Sequence, residues 1–435
     1  MRFTTMPDAN RDDAPRTLAS PTPLGERNPV IDILRGFAVF GILLVNFPGS
    51  EAARSGAADD AVRKLLSLLV SGKFYTTFSF LFGLGFAIQF LRAQARGQRV
   101  VPVYLRRMAA LFLIGLAHAV LIWPGDVLMV YAFMGLFLIP FRKRSARVLL
   151  PAVLLVLAGE YYLWTTERTF LVRDVVPRIV HPELEQEAEV QKFLVYDENR
   201  EAGRQLRAAT RSGTYVDAVV ARFNVWRLSN RYLFRNIWVS SFAMFLIGMY
   251  AGRSGLLRWP LARAVLVRRV MWIALPIFLG LGILNTYGPQ LLGSLYFKIH
   301  WKVTAVAWIV HAPAGSLFYI SAILTVLALR SHWIPRLAPL GAVGRMPLTN
   351  YLLQSVAGTL LYYGYGLGLQ LKLGFLSGLL LAMGVFAVQI VLSRWWLGKF
   401  QYGPAEWLWR SATYGRRQPM MRIRATEPAV ADAAR

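Results

Sequence analysis

A histidine and an aspartate eight residues apart, His118 and Asp126, are the residue types of a general base and of the carboxylate that orients it. The sequence Trp-Pro-Gly at 123–125 separates them and predicts a turn between two helices. Because an α-helix rises about 1.5 Å per residue, the two side chains are expected at nearly the same depth, close enough to pair. The same spacing also fits an aspartate that caps the second helix and a histidine bonded to a backbone carbonyl.

Only three acidic residues fall within or at the edge of long apolar stretches: Asp32, Asp126 and Glu160. An ionisable group in lipid costs several kcal/mol, so each is a candidate functional residue. Asp32 and Arg35 share one helix face, either as a local ion pair or as a polar floor where Arg35 receives an anionic ligand from the cytoplasm. Glu160 is expected to face the same outer vestibule as His118, or the lipid headgroups.

Four further polar residues in apolar stretches are candidate pocket residues. Each is also explained by helix–helix hydrogen bonds or core contacts. Asn350 and Gln354 are four residues apart and form one polar stripe. The four are Asn46, His311, Asn350 and Gln354.

Metal and cysteine chemistry are not indicated. The chain has no cysteine, and its five histidines are widely spaced. Disulfides, thiolate metal sites and cysteine nucleophiles are therefore excluded. Asp126 and Glu160 are too few to build a metal site, so we expect no metal and no bound cofactor. The glycines at 83–85 and 364–368 lie in apolar stretches and indicate close helix contacts rather than nucleotide binding.

The composition predicts that the candidate residues lie on apolar helices. The 435 residues are 56% hydrophobic and only 17% charged, with a mean hydropathy of +0.43, which is typical of a multi-pass membrane protein. We predict an all-α bundle with both termini in the cytoplasm. Its spans are expected at about 29–48, 74–91, 104–123, 126–141, 148–165, 235–252, 269–287, 303–329, 347–368 and 374–397.

The net charge of +26 follows this topology. With a cytoplasmic N-terminus, the cytoplasmic segments hold 29 Lys and Arg residues and the short outer loops hold 7. The excess is explained by orientation and by the anionic inner leaflet, so no nucleic-acid partner is expected.

Five regions follow along the chain. We predict a disordered tail over 1–28, five helices over 29–165, an extracytoplasmic helical cap over 166–235, five helices over 236–398 and a basic interfacial tail over 399–435. Within the cap, 183–196 and 199–211 have helix-like patterns. In the tail, Glu406 and Arg410 are expected to form an ion pair on a short interfacial helix.

Several motifs together resemble a known family. They are IDILRGFAVFGILLVN at 31–46, FSFLFGLGFA at 78–87, GLAH at 115–118, GDVL at 125–128, PLTNYLLQS at 347–355 and YGPAEWLWR at 402–410. In this order they resemble the YeiB-like family of bacterial multi-pass membrane proteins, the domain of unknown function 418. The resemblance covers about 29–415 and implies a location in the bacterial inner membrane, but no settled activity.

A more distant resemblance implies chemistry. The Asp-x-x-Arg-Gly sequence at 32–36 is similar to the first span of membrane acyltransferases of the acyltransferase-3 and heparan glucosaminide N-acetyltransferase families. These transfer acyl groups from cytoplasmic acyl-CoA to a sugar or lipid on the outer side. In such an enzyme Arg35 would anchor the CoA phosphates. His118, oriented by Asp126, would have to take over the role of the base, because the histidine that these families have at or soon after the end of the first span is absent from this chain. The chain departs from the first family at Asn46, where those proteins have a functional histidine.

Three functions remain open. The first is acyl transfer from acyl-CoA to an extracytoplasmic glycan, lipid or small molecule. The second is transport of a small or lipid-like solute, with the buried ionisable residues as coupling groups. The absence of a recognisable internal repeat counts mildly against it. The third is a membrane sensor or scaffold that binds a partner through 166–235.

Overall fold

The computed structural model describes residues 27–47, 53, 56–170, 201–229, 237–256, 263–293 and 301–422. The expected tail over 1–28 and the expected helix over 183–196 lie almost wholly outside these residues. All statements below concern the described part of the chain.

The regular elements are helices, joined by turns and by one isolated antiparallel bridge between Phe400 and Met421. A π-helical turn, His118–Ile122, follows α4, and the segment 201–212 is also helical. The helices are α1 (Pro29–Asn46), α2 (Gly56–Leu69), α3 (Lys73–Ala95), α4 (Val101–Ala117), α5 (Leu128–Leu136), α6 (Ala146–Phe170), α7 (Tyr215–Ser229), α8 (Ile237–Arg253), α9 (Ala264–Leu292), α10 (Trp301–Leu329), α11 (Trp333–Arg336), α12 (Ala338–Arg345), α13 (Pro347–Tyr362), α14 (Phe375–Lys399) and α15 (Pro404–Tyr414).

Seven helical segments in the described chain are long and apolar enough to cross a membrane. The predicted all-α membrane bundle is therefore confirmed. Three further apolar helices, α5, α8 and α13, have 9, 17 and 16 residues. The number of spans and the sides of the termini stay predictions. The seven segments are Pro29–Asn46, Gly56–Ala95, Val101–Ile122, Ala146–Leu163, Ala264–Gly288, Ala305–Leu329 and Phe375–Lys399.

Large apolar side chains cover the outside of the bundle. Leu154, Leu155 and Trp272 have 69%, 74% and 60% of their surface exposed. Such a surface is unfavourable in water and is expected of helices that face lipid.

At the centre of the bundle, α3 packs against α8 through two glycines. A Cβ atom at Gly83 would overlap the carbonyl oxygen of Phe245, and a Cβ atom at Gly248 would overlap that of Phe80. The two backbones therefore approach as closely as small residues allow. This contact holds α3 inside the bundle.

A second close contact joins α1 to α12. A Cβ atom at Gly36 would overlap the Leu340 carbonyl oxygen, and one at Gly344 would overlap that of Asp32. The contact brings Arg345, which follows Gly344, to the side of the bundle where Asp32 and Arg35 lie.

The cap contains a helix that the sequence pattern did not predict. Residues 201–212 match the second expected run, but α7 follows immediately, over Tyr215–Ser229. It begins with a local cap, in which the backbone N–H of Thr214 donates to Asp217 (2.8 Å). α7 packs on the π-helical turn after α4, so the cap covers the end of the bundle that holds His118.

Candidate active site and arginine-lined cavity

The structure brings His118 and Asp126 together in the interior of the protein. Imidazole Nδ1 lies 2.9 Å from Asp126 Oδ1, and the two side chains are 1% and 2% exposed. The other carboxylate oxygen, Oδ2, accepts the backbone N–H of Met129 at 2.8 Å. Asp126 thus both orients the histidine and caps α5, and the two interpretations of the sequence do not compete.

Local backbone geometry produces this pair. Gly115 is required where α4 meets the start of α5, because a Cβ atom there would lie 2.6 Å from the Met129 nitrogen and 2.8 Å from Asp126 Oδ2. Beyond it, α4 widens into the π-helical turn, where the Trp123 N–H donates to the His118 carbonyl (2.8 Å). π-Helical turns of this kind frequently occur at functional sites.

The second imidazole nitrogen has a different environment. His118 Nε2 is buried and has no hydrogen-bond partner among the described residues. In the tautomer that donates Nδ1–H to Asp126, Nε2 has a free lone pair, as a general base requires. The ring of Tyr351 lies 5.0 Å from the imidazole, centroid to centroid, and covers it from α13.

A cavity of about 540 Å³ opens at the other end of α4. Arg107 lines it, eleven residues before His118, which corresponds to about 16 Å along the helix. Seven arginines line the wall against two carboxylates, Asp32 and Glu406. Its lining also contains apolar side chains, among them Phe78, Leu81 and Phe82. The arginines are Arg27, Arg35, Arg92, Arg96, Arg107, Arg345 and Arg410.

The predicted Asp32–Arg35 pair lies in this wall, with Arg35 Nη1 3.1 Å from Asp32 Oδ1. Asp32 is almost buried, whereas the Arg35 side chain is 33% exposed and faces the cavity. Both sequence interpretations therefore hold for these two residues: Arg35 pairs with Asp32, and it also presents a positive charge to the cavity. Burial lowers the pKa of Arg27 and Arg345, and the Asp32 carboxylate opposes this shift in both.

Aromatic rings hold two further arginines in place. The Arg107 guanidinium lies 4.3 Å from the Trp409 ring and donates to Gln89 (3.0 Å). Arg410 lies 4.5 Å from the Tyr402 ring. Buried guanidinium nitrogens of Arg107, Arg345 and Arg410 have no acceptor among the described residues. Unpaired donors on several arginines around one cavity are typical of a site for an oxyanion.

The expected ion pair between Glu406 and Arg410 is wrong. The Glu406 carboxylate instead accepts the backbone N–H groups of Leu348 (2.6 Å) and Thr349 (3.0 Å), and the Thr349 hydroxyl. These N–H groups at the start of α13 have no partner within the helix. They form a buried anion site, which the Glu406 carboxylate occupies instead of pairing with Arg410. Burial raises the pKa of the Glu406 carboxyl, and the hydrogen bonds from Thr349 and Leu348 oppose this shift.

Asn350 and Gln354 form hydrogen bonds between helices. Asn350 Nδ2 donates to Ser393 (3.0 Å), and Gln354 Nε2 donates to Gln389 (3.0 Å), which joins α13 to α14. Both residues are buried and neither lines the cavity. They act here as helix–helix contacts.

The remaining predicted residues are dispersed, and none of them lines the cavity. Glu160 is buried and accepts from Ser240 Oγ at 2.7 Å, while its second oxygen has no partner among the described residues. Asn46 is half-buried at the last residue of α1. His311 stacks on Phe278, with ring centroids 5.5 Å apart.

The sequence pattern missed two buried cations. Lys73 is fully buried and donates to the Ser67 carbonyl (2.8 Å), and its Nζ lies 5.9 Å from the same Phe278 ring. Arg222, on the unpredicted helix α7, is also fully buried. Their burial could not be predicted from the sequence, because Lys73 borders an apolar stretch and Arg222 lies in a loop between two such stretches. The described residues contain no cluster of three His, Asp or Glu that could hold a metal ion.

The sequence is similar to that of proteins described as uncharacterized. Residues 251–416 match the family described as "Protein of unknown function (DUF418)". The uncharacterized protein YxaH of Bacillus subtilis is 34% identical over 92% of this chain and 97% of its own length. The uncharacterized protein YeiB of Escherichia coli is 27% identical over 94% of this chain and 100% of its own. No solved structure is significantly similar.

Proposed function

Since the chain belongs to the YeiB-like DUF418 family, whose activity is unknown, we propose its function from its own geometry. The protein is an acyltransferase of the bacterial cytoplasmic membrane. It takes an acyl group from cytoplasmic acyl-CoA and transfers it to a hydroxyl group of an acceptor on the outer side.

The observation that carries this proposal is the arginine-lined cavity. CoA bears a diphosphate and a phosphomonoester, and guanidinium groups bind phosphate through two parallel hydrogen bonds. Seven arginines together with apolar lining residues such as Phe78, Leu81 and Phe82 suit a ligand that carries both phosphates and an acyl chain. In the predicted topology, the cavity opens toward the cytoplasm, where acyl-CoA is present.

The chemistry is carried by His118. Nε2 takes the proton of the acceptor hydroxyl, and the oxygen attacks the thioester carbonyl. The carbon–sulfur bond breaks, and the CoA sulfur receives the proton from the imidazolium, which leaves an ester and free CoA. The Asp126 carboxylate at Nδ1 stabilises the imidazolium between the two proton transfers.

The thioester must pass Tyr351 to reach this histidine. Tyr351 lies one helical turn after Pro347, which lines the cavity, and its ring packs on His118.

Binding of CoA to the purified full chain tests the proposal. We expect CoA and decanoyl-CoA to bind, and Arg107→Gln and Arg410→Gln each to weaken binding about tenfold, because each removes charge-assisted hydrogen bonds. Arg416→Gln is the matched control, since Arg416 is exposed and lies outside the cavity wall. Isothermal titration calorimetry measures the affinities.

Two outcomes would remove the proposal. One is the absence of CoA binding, or binding that Arg107→Gln and Arg410→Gln leave unchanged. The other is movement of an anionic solute across proteoliposomes without cleavage of the thioester, which would favour a transporter.

A further inference from the structure

Arg222 on α7 is the largest side chain that is fully buried in the described structure. Its Nη1 donates to the Leu121 carbonyl (2.7 Å) and its Nη2 to the Tyr365 hydroxyl (2.9 Å). Its Nε is buried and has no acceptor among the described residues. Both partners are neutral, and they come from parts of the chain more than 100 residues away.

Aromatic rings enclose this guanidinium. It lies 5.5 Å from the ring of Tyr363 and 5.8 Å from that of Tyr215. The Trp123 ring stacks on Tyr363 at 6.0 Å. Rings and neutral oxygens weaken the electrostatic cost of a buried cation, but they do not neutralise it.

Within the part of the chain that the structure describes, no carboxylate forms an ion pair with Arg222. A buried charge without a counter-ion costs several kcal/mol, and cationic groups held in this way commonly bind an anionic ligand. The unpaired Nε–H provides a donor for one.

The position of Arg222 links it to His118. Its partner Leu121 lies in the same π-helical turn, three residues after His118, and therefore about 5 Å further along the axis. Arg222 and His118 thus belong to the same turn of the chain, which is why we consider them as parts of one site.

We propose that Arg222, with Tyr215, Tyr363 and Tyr365, binds the acceptor, and that the acceptor carries an oxyanion as well as the hydroxyl that is acylated. This inference rests on the proposed function and names its acceptor class. The Tyr215 side chain is 47% exposed and its hydroxyl donates to the same Leu121 carbonyl (3.0 Å), so it forms the outer wall of the site.

Three small probes that differ in charge test the site: glycerol, glycerate and glycerol 3-phosphate. The full chain is titrated with each in saturating CoA, which fills the arginine-lined cavity. We expect glycerate and glycerol 3-phosphate to bind at least tenfold more tightly than glycerol, and Arg222→Gln to abolish this preference. Arg227→Gln, an exposed arginine of the same helix, should retain it.

An equal preference in wild type and Arg222→Gln would overturn the inference. Arg222 would then have only a structural role, in which it attaches α7 to the rest of the protein. The same conclusion follows if none of the probes binds. Where Arg222→Gln fails to fold, Arg222→Lys replaces it, because an ammonium keeps the charge but loses the planar fork. The preference should then fall several-fold, and an unchanged preference would again leave only this structural role.

Failure of the proposed function is recognised separately, by the absence of CoA binding in the first titration. In that case the probes are titrated without CoA into an Arg107→Gln/Arg410→Gln double variant, whose cavity has lost two anion-binding groups. In that double variant, Arg222→Gln should again abolish the preference for the anionic probes, and Arg227→Gln should retain it.

Discussion

At the scale of single residues, the proposed catalysis depends on the 2.9 Å hydrogen bond between His118 Nδ1 and Asp126 Oδ1. In Asp126→Asn, the amide oxygen can still accept the Met129 N–H, but the amide nitrogen faces Nδ1 and favours the wrong tautomer of the imidazole. We expect the release of CoA thiol to fall about 10²–10⁴-fold with little change in thermal stability. His118→Ala should abolish it.

The control is His332→Ala, since His332 is exposed between α10 and α11. It should keep full activity. An Asp126→Asn protein that releases thiol at the wild-type rate would show that His118 is not oriented by this carboxylate.

The His118–Asp126 pair is predictable from sequence because its two members flank one turn, so that helix geometry alone fixes their relative depth. Arg222 is not predictable in this way. Its partners Leu121 and Tyr365 lie 101 and 143 residues away, and only the docking of α7 brings the three together. Among the cavity arginines, Arg35 was predicted to receive an anionic ligand. The clustering of the other six was not predicted, because the excess of arginine in these segments is already explained by the orientation of the chain.

At the scale of helices, the α3–α8 contact depends on glycine at two positions. Gly83→Leu and Gly248→Leu each force a side chain into the backbone of the opposite helix. We expect each to lower the free energy of unfolding by at least about 2 kcal/mol. Thermal denaturation of the detergent-solubilised protein, followed by size-exclusion chromatography, measures the loss.

Gly384→Leu is the matched control for the same substitution in a spanning helix. A Cβ atom at Gly384 would have no neighbour within 4 Å, so the leucine side chain would face lipid. A Gly83→Leu protein as stable as Gly384→Leu would contradict the close contact between α3 and α8.

The attachment of α15 to α13 gives a second prediction at this scale. Glu406→Ala leaves the buried N–H groups of Leu348 and Thr349 without an acceptor, so we expect a loss of about 2–4 kcal/mol in the free energy of unfolding. Glu201→Ala, which removes an exposed carboxylate, should change it by less than about 0.5 kcal/mol. Equal stability of the two variants would mean that Glu406 does not cap α13.

Hydrophobic periodicity predicts most of the helices in this chain, because each long apolar stretch has only one stable conformation in lipid. It does not predict which polar groups meet at helix ends. The spacing of Glu406 and Arg410 fits an ion pair, but the carboxylate reaches the start of a helix 57 residues away along the chain. The helix α7 was missed because its 15 residues are too few for a spanning helix.

At the scale of the whole molecule, the two sites differ in charge and lie at opposite ends of α4. Transfer across the membrane requires the arginine-lined cavity to face the cytoplasm and α7 to face outward. The absence of cysteine makes this orientation directly measurable, because any introduced cysteine is the single thiol of the protein. We expect Asp217→Cys, exposed on α7, to react with a membrane-impermeant maleimide in intact spheroplasts.

Arg416→Cys, exposed just beyond the C-terminal end of α15, should react only after the membrane is permeabilised. This pair of thiols reports the two ends of the bundle with one reagent, and each serves as the control for the other. The opposite pattern would place seven arginines outside, against the positive-inside rule, and would separate the cavity from cytoplasmic acyl-CoA. Acyl transfer from that donor would then be excluded, whatever the chemistry of His118.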